Sequence, residues 1–430
     1  MAVAIGLLIV AAGLAVSTLS IGRSGVGQPS VGASPTHVAE TREPERSPTA
    51  SPTPLVSPTP EPEQLPTPTP LPSGPATIAW AQGDAHGGWI RDVVRHGGRW
   101  IAGGAVQMGD FYRAATWTSL DGRTWSGPIA LPPEPVPDSD GMHPRYWING
   151  FGVLDGTLLA FGWNGVGCCD GGFPMMWRSD DGEIWSVVNT AGSAFGDSYH
   201  SPQTSVSTPQ GNLAVLTATG LGSGASIFLT GDLVSWEEYS FTELEPYTVS
   251  GLAASPTLLI AVGTEHLSYE AGEDPPTTAH AWTSTDGRTW TAVTAPNPDG
   301  TLDSVTWDPS RDRFVAVGTD DDGAPAAWLT ADGSGWSWIP LADETGRMQD
   351  VAAADGLIVA SGNVGPTFEP SGETIAWTSH DGVTWLVMPL LDRQRGSVVG
   401  AESGSAVMII NDSDEAGGDS WQSWAGPVQR

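Results

Sequence analysis

The chain has 430 residues, of which only 15% are charged, and its 55 Gly, 36 Pro and 20 Trp indicate many turns and large buried rings. Its 17 basic residues, all of them arginine, stand against 49 acidic residues, which gives a formal net charge of −32. A chain this acidic, without a basic stripe, is not expected to bind nucleic acid or an anionic membrane surface.

The first segment is apolar. Residues 2–20 carry no charge and are just long enough to cross a bilayer as one helix, so we expect residues 1–22 to be a transmembrane anchor or a signal segment. The small residues near Ala15 and Ser17 make a poor cleavage signal, which favours an uncleaved anchor. The segment predicts a single-pass protein of the cell membrane whose remainder is extracellular, touching the membrane only through this helix. A secreted protein is the alternative.

The second segment, residues 23–75, is rich in Pro, Thr and Ser. Residues 29–75 alone contain 14 prolines. Such a composition cannot form a packed core, because it supplies too little apolar surface to offset the entropy of ordering the chain. We therefore expect a disordered, extended stalk between the apolar helix and the rest of the chain.

The remainder of the chain, residues 76–430, repeats one phrase six times. Each copy has an aromatic residue two positions before a Ser/Thr-x-Asp turn that ends on a Trp, as in Trp117 and the run from Ser119 to Trp125. The aspartates of the six copies are separated by 60, 51, 54, 46 and 49 residues, a period typical of propellers and solenoids. They are Asp121, Asp181, Asp232, Asp286, Asp332 and Asp381.

Each phrase predicts a hairpin. Asp-Gly between two alternating apolar runs supplies the positive backbone angles of a tight turn, and the Asp carboxylate can accept backbone N–H groups within it. The flanking Trp rings are expected to fill the space between neighbouring sheets. Two copies depart from the phrase, with Leu233 in place of Gly and Gly335 in place of Thr, and we expect looser turns there.

A second pattern sets the number of units. A short apolar strand that ends in small residues occurs seven times, at 101–103, 158–161, 213–216, 258–262, 314–317, 357–360 and 406–410. The seventh unit has Trp421 and Ser423 at the Trp-x-Ser spacing but no box after them, whereas residues 77–81 resemble the strand that follows a box. We infer a seven-membered ring in which this N-terminal strand completes the last unit. A six-membered ring is the alternative.

The repeats resemble the Asp-box, or bacterial neuraminidase repeat, β-propellers, a superfamily that includes sialidases and sortilin-like receptors. The resemblance covers residues 76–430 and implies an all-β, seven-bladed β-propeller of four-stranded antiparallel blades. In five of the six boxes of this chain the Asp and Gly are adjacent, whereas the usual box has one residue between them. In the family the boxes lie away from the active face, so the resemblance implies architecture and leaves the chemistry open.

The two cysteines of the chain, Cys168 and Cys169, are adjacent in a Gly-rich loop of the second unit. They can form a vicinal disulfide, remain reduced or link to another chain. A metal site needs more ligands than this loop provides, and we expect neither a metal nor a cofactor.

The face opposite the boxes is expected to carry the longest loops, at residues 130–146, 163–175, 264–280 and 363–374. Loops on a rigid scaffold are where recognition usually lies, so this loop face is the predicted binding surface. Its candidate binding residues are Tyr112, Arg113, His143, Arg145, Tyr146, Tyr269 and Glu270.

Two functions follow from this surface. The first is a non-catalytic propeller, displayed at the cell surface, that binds a glycan, a peptide or an envelope partner. The alternative is an extracellular glycoside hydrolase, of a sialidase-like or two-carboxylate type. The Arg-Ile-Pro signature that sialidases imply is missing, and the sequence nominates no catalytic pair. Carboxylates roughly 5–10 Å apart in a deep central pocket would favour hydrolysis, and a flat or plugged face would favour binding.

Overall fold

The structure of the protein is a computed structural model that describes residues 72–429 apart from 110, 134–144, 166–171, 199, 220–223, 241–246, 267–276, 295–298, 342–345, 365–372, 392–395, 403 and 414–418. Residues 1–71 lie outside the described residues, so the anchor and the stalk stay predictions. Within the described part, no helix is both long and apolar enough to span a bilayer.

In the described residues, 28 strands form seven four-stranded antiparallel sheets, each the blade of a propeller. Blade 1 contains β2 (Trp89–His96), β3 (Arg99–Met108), β4 (Phe111–Ser119) and β5 (Ser126–Ala130). Blade 2 contains β6 (Arg145–Leu154), β7 (Thr157–Gly165), β8 (Phe173–Ser179) and β9 (Ser186–Val187). Blade 3 contains β10 (His200–Ser207), β11 (Leu213–Thr219), β12 (Ala225–Thr230) and β13 (Glu237–Ser240). Blade 4 contains β14 (Tyr247–Ala254), β15 (Leu259–His266), β16 (Thr277–Ser284) and β17 (Thr291–Thr294).

The remaining blades have the same order from the central channel outward. Blade 5 contains β18 (Thr301–Asp308), β19 (Arg313–Thr319), β20 (Pro325–Thr330) and β21 (Ser337–Pro340). Blade 6 contains β22 (Gly346–Ala354), β23 (Leu357–Val364), β24 (Glu373–Ser379) and β25 (Leu386–Leu391). Blade 7 contains β26 (Gly396–Glu402), β27 (Ser405–Ser413) and β28 (Asp419–Pro427), with β1 (Ala81–Gly87) as its outermost strand.

The predicted ring closure is confirmed, and the six-bladed alternative is wrong. Strand β1 pairs antiparallel with β28, with Ala81 opposite Ala425 and His86 opposite Trp421. The strand starts later than the predicted residues 77–81, because Ile78 forms only an isolated bridge, to Val428. The pairing covers the outer edge of β28, which would otherwise be exposed.

The register also corrects the assignment of the seventh unit. Counted from the turn that joins the first two strands of a blade, Trp117 of blade 1 pairs with the fourth residue of β3, Ala102. In blade 7 the fourth residue of β27 is Met408, and its partner is Trp424. The residue of blade 7 that is equivalent to Trp117 is therefore Trp424. Trp421 has the same Trp-x-Ser spacing to Ser423, but it lies three residues too early in β28.

The core consists of clusters of buried side chains between neighbouring blades. At the closing interface, between blades 7 and 1, Trp421 is 1% exposed and packs against Trp117 and Trp125. The Trp that ends each box, such as Trp125 in blade 1, immediately precedes the outer strand of its blade. Trp80 takes this position in blade 7, directly before β1. Trp80 packs with the cluster between blades 6 and 7, so it supplies the ring of the missing seventh box.

Residues 72–79 bind to the propeller before β1 begins. The Gly74 N–H donates to the Asp381 carboxylate at 2.5 Å, and the His380 N–H donates to the Gly74 carbonyl at 2.8 Å. Ala76 and Ile78 are buried between blades 6 and 7. Arg311 contacts Pro72, so the contacts with the propeller include residues before the predicted domain boundary at 76.

Candidate functional site

The six box turns share one hydrogen-bonding pattern. In the first, the Asp121 carboxylate accepts the N–H groups of Arg123 and Thr124, both at 2.8 Å, and the Ser119 hydroxyl accepts the Gly122 N–H at 2.8 Å. The Trp125 indole N–H donates to the Gly122 carbonyl at 3.0 Å. Asp181, Asp232, Asp286, Asp332 and Asp381 each accept the N–H groups two and three residues ahead in the same way.

The chain folds as a seven-bladed β-propeller. Its boxes serve the turns, since each carboxylate is engaged by its own backbone. Hydrogen bonds from the Gly335 and Ser334 N–H groups lower the pKa of Asp332 to about 2. In the third box Leu233 adopts a φ of 61°, so the turn keeps its shape even though Gly is absent. Only the Trp236 indole N–H of this box lacks a partner within the described residues. The looser turn expected at Gly335 is wrong, because the fifth box keeps the whole pattern, with the Trp336 indole N–H donating to the Gly333 carbonyl at 2.9 Å.

The boxes join the third and fourth strands of each blade, and we call their side of the propeller the box face. The opposite loop face carries the connections between blades and between second and third strands. Tyr112, Arg113 and Arg145 all lie at strand ends on the loop face, as expected. The candidates His143, Tyr269 and Glu270, together with Cys168 and Cys169, lie outside the described residues.

Four side chains of blades 1 and 2 form a rim cluster on the loop face: Arg91, Tyr112, Arg145 and Trp147. The Tyr112 and Trp147 rings stack at 4.9 Å between centroids. The Arg145 guanidinium lies over the Tyr112 ring at 5.8 Å, and that of Arg91 lies over the Trp147 ring at 5.9 Å. Contact through ring faces leaves guanidinium N–H groups available to a ligand.

Tyr112 is fixed by a further contact. Its hydroxyl donates to the Asp419 carboxylate at 3.1 Å, which links blade 1 to blade 7. Burial and the Asp419 charge raise the pKa of Tyr112, so the phenol keeps its proton. The ring therefore serves as a neutral stacking surface.

Two candidate residues have other roles in the structure. Tyr146 is only 8% exposed and packs in the core between blades 1 and 2, because successive residues of a strand face opposite sides and its neighbours Arg145 and Trp147 take the accessible side. The Arg113 Nε donates to the Leu131 carbonyl at 3.1 Å and so holds the segment that leaves blade 1. We leave both residues out of the candidate site.

A polar cavity of about 340 Å³ lies in the central channel. Six of the seven innermost strands carry an irregularity in register at the same place, and the extra residue turns toward the channel. These residues are Arg91, Asn149, Gln203, Ser250, Asp303 and Gln349. The same bulge recurs around the ring. The innermost strands therefore present hydrogen-bonding side chains to the central channel, where regular strands would present apolar ones.

Three carboxylates line this cavity. Asp92 of blade 1 accepts the N–H of Phe151 in blade 2 at 2.8 Å and the N–H of its neighbour Val93 at 2.7 Å. Asp350 of blade 6 repeats this arrangement with Val399 of blade 7 at 3.0 Å and with Val351 at 2.9 Å. Each carboxylate thus ties one blade to the next. Asp350 Oδ1 also accepts the Ser304 hydroxyl at 3.2 Å, whereas Asp350 Oδ2 and both oxygens of Asp92 keep a lone pair for a ligand.

The third carboxylate, Asp303, differs from the other two in having an arginine partner. It forms a two-pronged ion pair with Arg347, whose Nε lies 2.6 Å from Oδ2. No arginine within the described residues forms an ion pair with Asp92 or Asp350. Burial, and then the charge of Asp350, raise the pKa of Asp92 to about 7, and burial also raises the pKa of Asp350. Asp92 therefore holds a proton in a substantial fraction of molecules near neutral pH.

These shifts predict how stability depends on pH. A carboxyl whose pKa is higher in the folded state stabilises the fold when protonated, and this contribution disappears as the pH rises from about 4 through 7. Each pKa unit corresponds to about 1.4 kcal/mol, and solvent in the channel screens part of it, so we expect a loss of about 1–3 kcal/mol from Asp92. The box aspartates act in the opposite window, losing their contribution below about pH 4.

Urea unfolding at pH 5, 6, 7 and 8 measures the effect. Asp92→Asn should be less destabilising at pH 8 than at pH 5, because the variant has no charge to bury. The difference in the free energy of unfolding between variant and wild type at each pH isolates the contribution of Asp92. Other titrating groups, such as His200, whose pKa is lowered by burial, affect both proteins equally. Asp180→Asn, on the exposed box face, is the matched control and should show no pH-dependent difference. Parallel curves for wild type and Asp92→Asn would contradict the assignment.

Sequence reasoning missed Arg91, Asp92, Trp147 and Asp350, because it looked for function in long loops. A signal was present. Five of the seven inner strands have an apolar residue, then one polar and one small or acidic residue, then an apolar residue, as in Ile90 to Val93 and Met348 to Val351. This interruption of the alternation marks the bulge that points polar groups into the channel.

Among the described residues, no three His, Cys, Asp or Glu side chains are grouped to hold a metal ion. No protein-family model and no curated protein matches the chain in sequence. Solved structures match in fold. The phage phi92 endosialidase has 10% identity and a TM-score of 0.47, with 83% of this chain and 70% of that chain covered.

Two further solved structures illustrate the likeness. A mutant of Trypanosoma rangeli sialidase displaying trans-sialidase activity has 11% identity and a TM-score of 0.46, over 83% of this chain and 57% of that chain. The polysaccharide lyase Uly1 has 10% identity and a TM-score of 0.47, over 78% of this chain and 90% of that chain. At these identities the likeness concerns the fold alone.

Proposed function

We propose that the protein is a glycoside hydrolase whose substrate enters the central cavity from the loop face. The observation that carries the proposal is the pair Asp92 and Asp350, two carboxylates without ion-pair partners among the described residues, in one polar cavity. Two carboxylates in a central cavity support hydrolysis over binding on a flat face.

The two carboxylates suit different roles. Glycoside hydrolysis needs an acid that protonates the leaving oxygen, and an acid with a pKa near the working pH is the most effective. Asp92, with a pKa raised to about 7, meets this requirement. Asp350 is the partner whose negative charge stabilises the positive charge that develops on the sugar ring.

The rim cluster supplies the binding surface. The Trp147 ring offers an apolar face to the C–H face of a sugar, and the N–H groups of Arg91 and Arg145 can donate to hydroxyl or acidic substituents. These side chains lie on the loop face, and Arg91 also lines the cavity. A glycan bound at the rim would therefore extend toward Asp92.

Screening the full chain against a glycan array tests the proposal when binding and released sugar are both read. For the cleaved glycan, Asp92→Asn should lower kcat by about a hundredfold or more, because the acid is lost. Trp147→Ala should mainly raise KM, since it removes stacking area. For the wild type, kcat should fall as the pH rises through about 7.

The control is Asp180→Asn, which makes the same chemical change on the exposed box face and should retain full activity. Unfolding curves for each variant separate lost catalysis from lost folding. Binding without release of sugar would contradict hydrolysis and favour a propeller that only recognises its ligand. Cleavage that survives Asp92→Asn would reject this acid.

A further inference from the structure

One buried hydroxyl of the cavity has no hydrogen-bond partner. Ser397, on β26 of blade 7, lines the cavity and is only 8% exposed. Its Oγ makes no hydrogen bond to any described residue. Leaving a buried polar atom unpaired costs about 1–3 kcal/mol, so a ligand that reaches this atom gains by pairing with it.

The surroundings of Ser397 are negative. Blade 7 lies between blades 6 and 1, so Asp350 flanks it on one side and Asp92 on the other. The Asp350 carboxylate accepts the N–H of Val399, two residues along the strand from Ser397 and therefore on the same side of it. The hydroxyl and this carboxylate consequently face the same part of the channel.

Arg347, near the cavity, is paired with Asp303, and Arg91 lies over the Trp147 ring at the rim. The wall at blade 7 therefore combines the unpaired Ser397 hydroxyl with the Asp350 carboxylate, which has no ion-pair partner among the described residues. Burial raises the pKa of Asp350, which agrees with a carboxylate that lacks a positive partner.

We propose that this wall binds a primary ammonium group, so that the substrate is an amino sugar with a free amine. An ammonium has three N–H donors and no acceptor, which matches the Ser397 hydroxyl and the Asp350 carboxylate. The described residues offer no group of three His, Cys, Asp or Glu side chains that would hold a metal ion instead. The inference names the substrate class and in that respect rests on the proposed hydrolase.

The ammonium is compatible with the acid role of Asp92. A positive charge beside Asp350 offsets the repulsion that contributes to the raised pKa of Asp92. Burial is the larger cause of the raised pKa of Asp92, and it remains when the ammonium binds. The pKa of Asp92 therefore stays above the ordinary value of an aspartate.

Calorimetric titration of the full chain with glucosamine and with N-acetylglucosamine tests the site. The two sugars differ in whether the amine is charged. Glucosamine should bind at least about tenfold more tightly, which is the effect of one hydrogen bond to a charged group. Ser397→Ala and Asp350→Asn should each reduce the preference for glucosamine over N-acetylglucosamine about tenfold or more.

Ser397→Ala keeps the test decisive if Asp350→Asn unfolds, because the serine hydroxyl holds no other group in place. Equal affinities for the two sugars, or glucosamine binding that survives Ser397→Ala, would overturn the proposal. Titration with an Nα-acetyl-lysine amide distinguishes a lysine side chain from a sugar as the source of the ammonium, and tighter binding of the lysine would reject the amino sugar.

Hydrolysis and ammonium binding can fail separately. Glucosamine binding that depends on Ser397, with no glycan cleaved, would contradict the hydrolase and support the ammonium site. Cleavage of neutral glycans without any preference for a free amine would support the hydrolase and contradict the ammonium site.

Discussion

Replacing Trp421 by Ala is expected to destabilise the propeller by about 3–5 kcal/mol, the range for deleting a large buried ring. Trp421 is 1% exposed and meets Trp117 and Trp125 edge-on, at 5.6 and 5.5 Å between ring centroids. Its other neighbour, His86, stacks on it at 4.9 Å. The substitution therefore opens a cavity where the first and last blades meet.

Urea or guanidinium unfolding measures this loss. Trp338→Ala is the matched control, because Trp338 lies on an outer strand with 37% of its surface exposed, and we expect it to cost less than about 1 kcal/mol. Trp421→Phe should recover part of the loss by refilling the cavity. Similar effects at Trp421 and Trp338 would show that the closing interface contributes no more than an outer strand.

Removing residues 1–87 is expected to abolish cooperative folding or to reduce the free energy of unfolding by on the order of 5 kcal/mol or more. Without β1, the β28 edge loses its partner strand, and the Trp421 and Trp424 rings lose their cover. The deletion also removes Trp80, Ile78 and Ala76 from the interface of blades 6 and 7.

A chain that starts at Pro72 is the control, and it should unfold like the full chain because it keeps β1 and the contacts of residues 72–79. Thermal unfolding followed by near-ultraviolet circular dichroism compares the two. If the chain lacking residues 1–87 keeps the wild-type transition, the ring is closed by blade 7 packing alone and β1 is dispensable.

The sequence was most informative about the blades. Asp286-Gly287 and its five counterparts predict hairpins because a short carboxylate and a residue with positive φ satisfy the turn locally, without help from distant residues. The count of seven second strands and the role of the N-terminal strand followed from the same local patterns. The exact start of β1 did not follow from the sequence, because residues 78–80 are compatible both with an isolated bridge and with a strand.

The candidate site was less predictable. Tyr112 and Arg145 were placed correctly on the loop face, since strand order determines which loops share a face. Tyr146 was misplaced because its burial depends on which side of β6 meets blade 1. Asp92 and Asp350 are 258 residues apart in sequence, and only the ring brings them to one cavity.

The sequence by itself determined the repeating hairpins, the number of blades and the net negative charge, because each of these depends on composition or on residues a few positions apart. Only the tertiary structure decided the polar cavity, the raised pKa of Asp92 and the unpaired hydroxyl of Ser397. Burial and electrostatic repulsion arise when side chains from different blades are held around one axis, and closure of the ring is what holds them there.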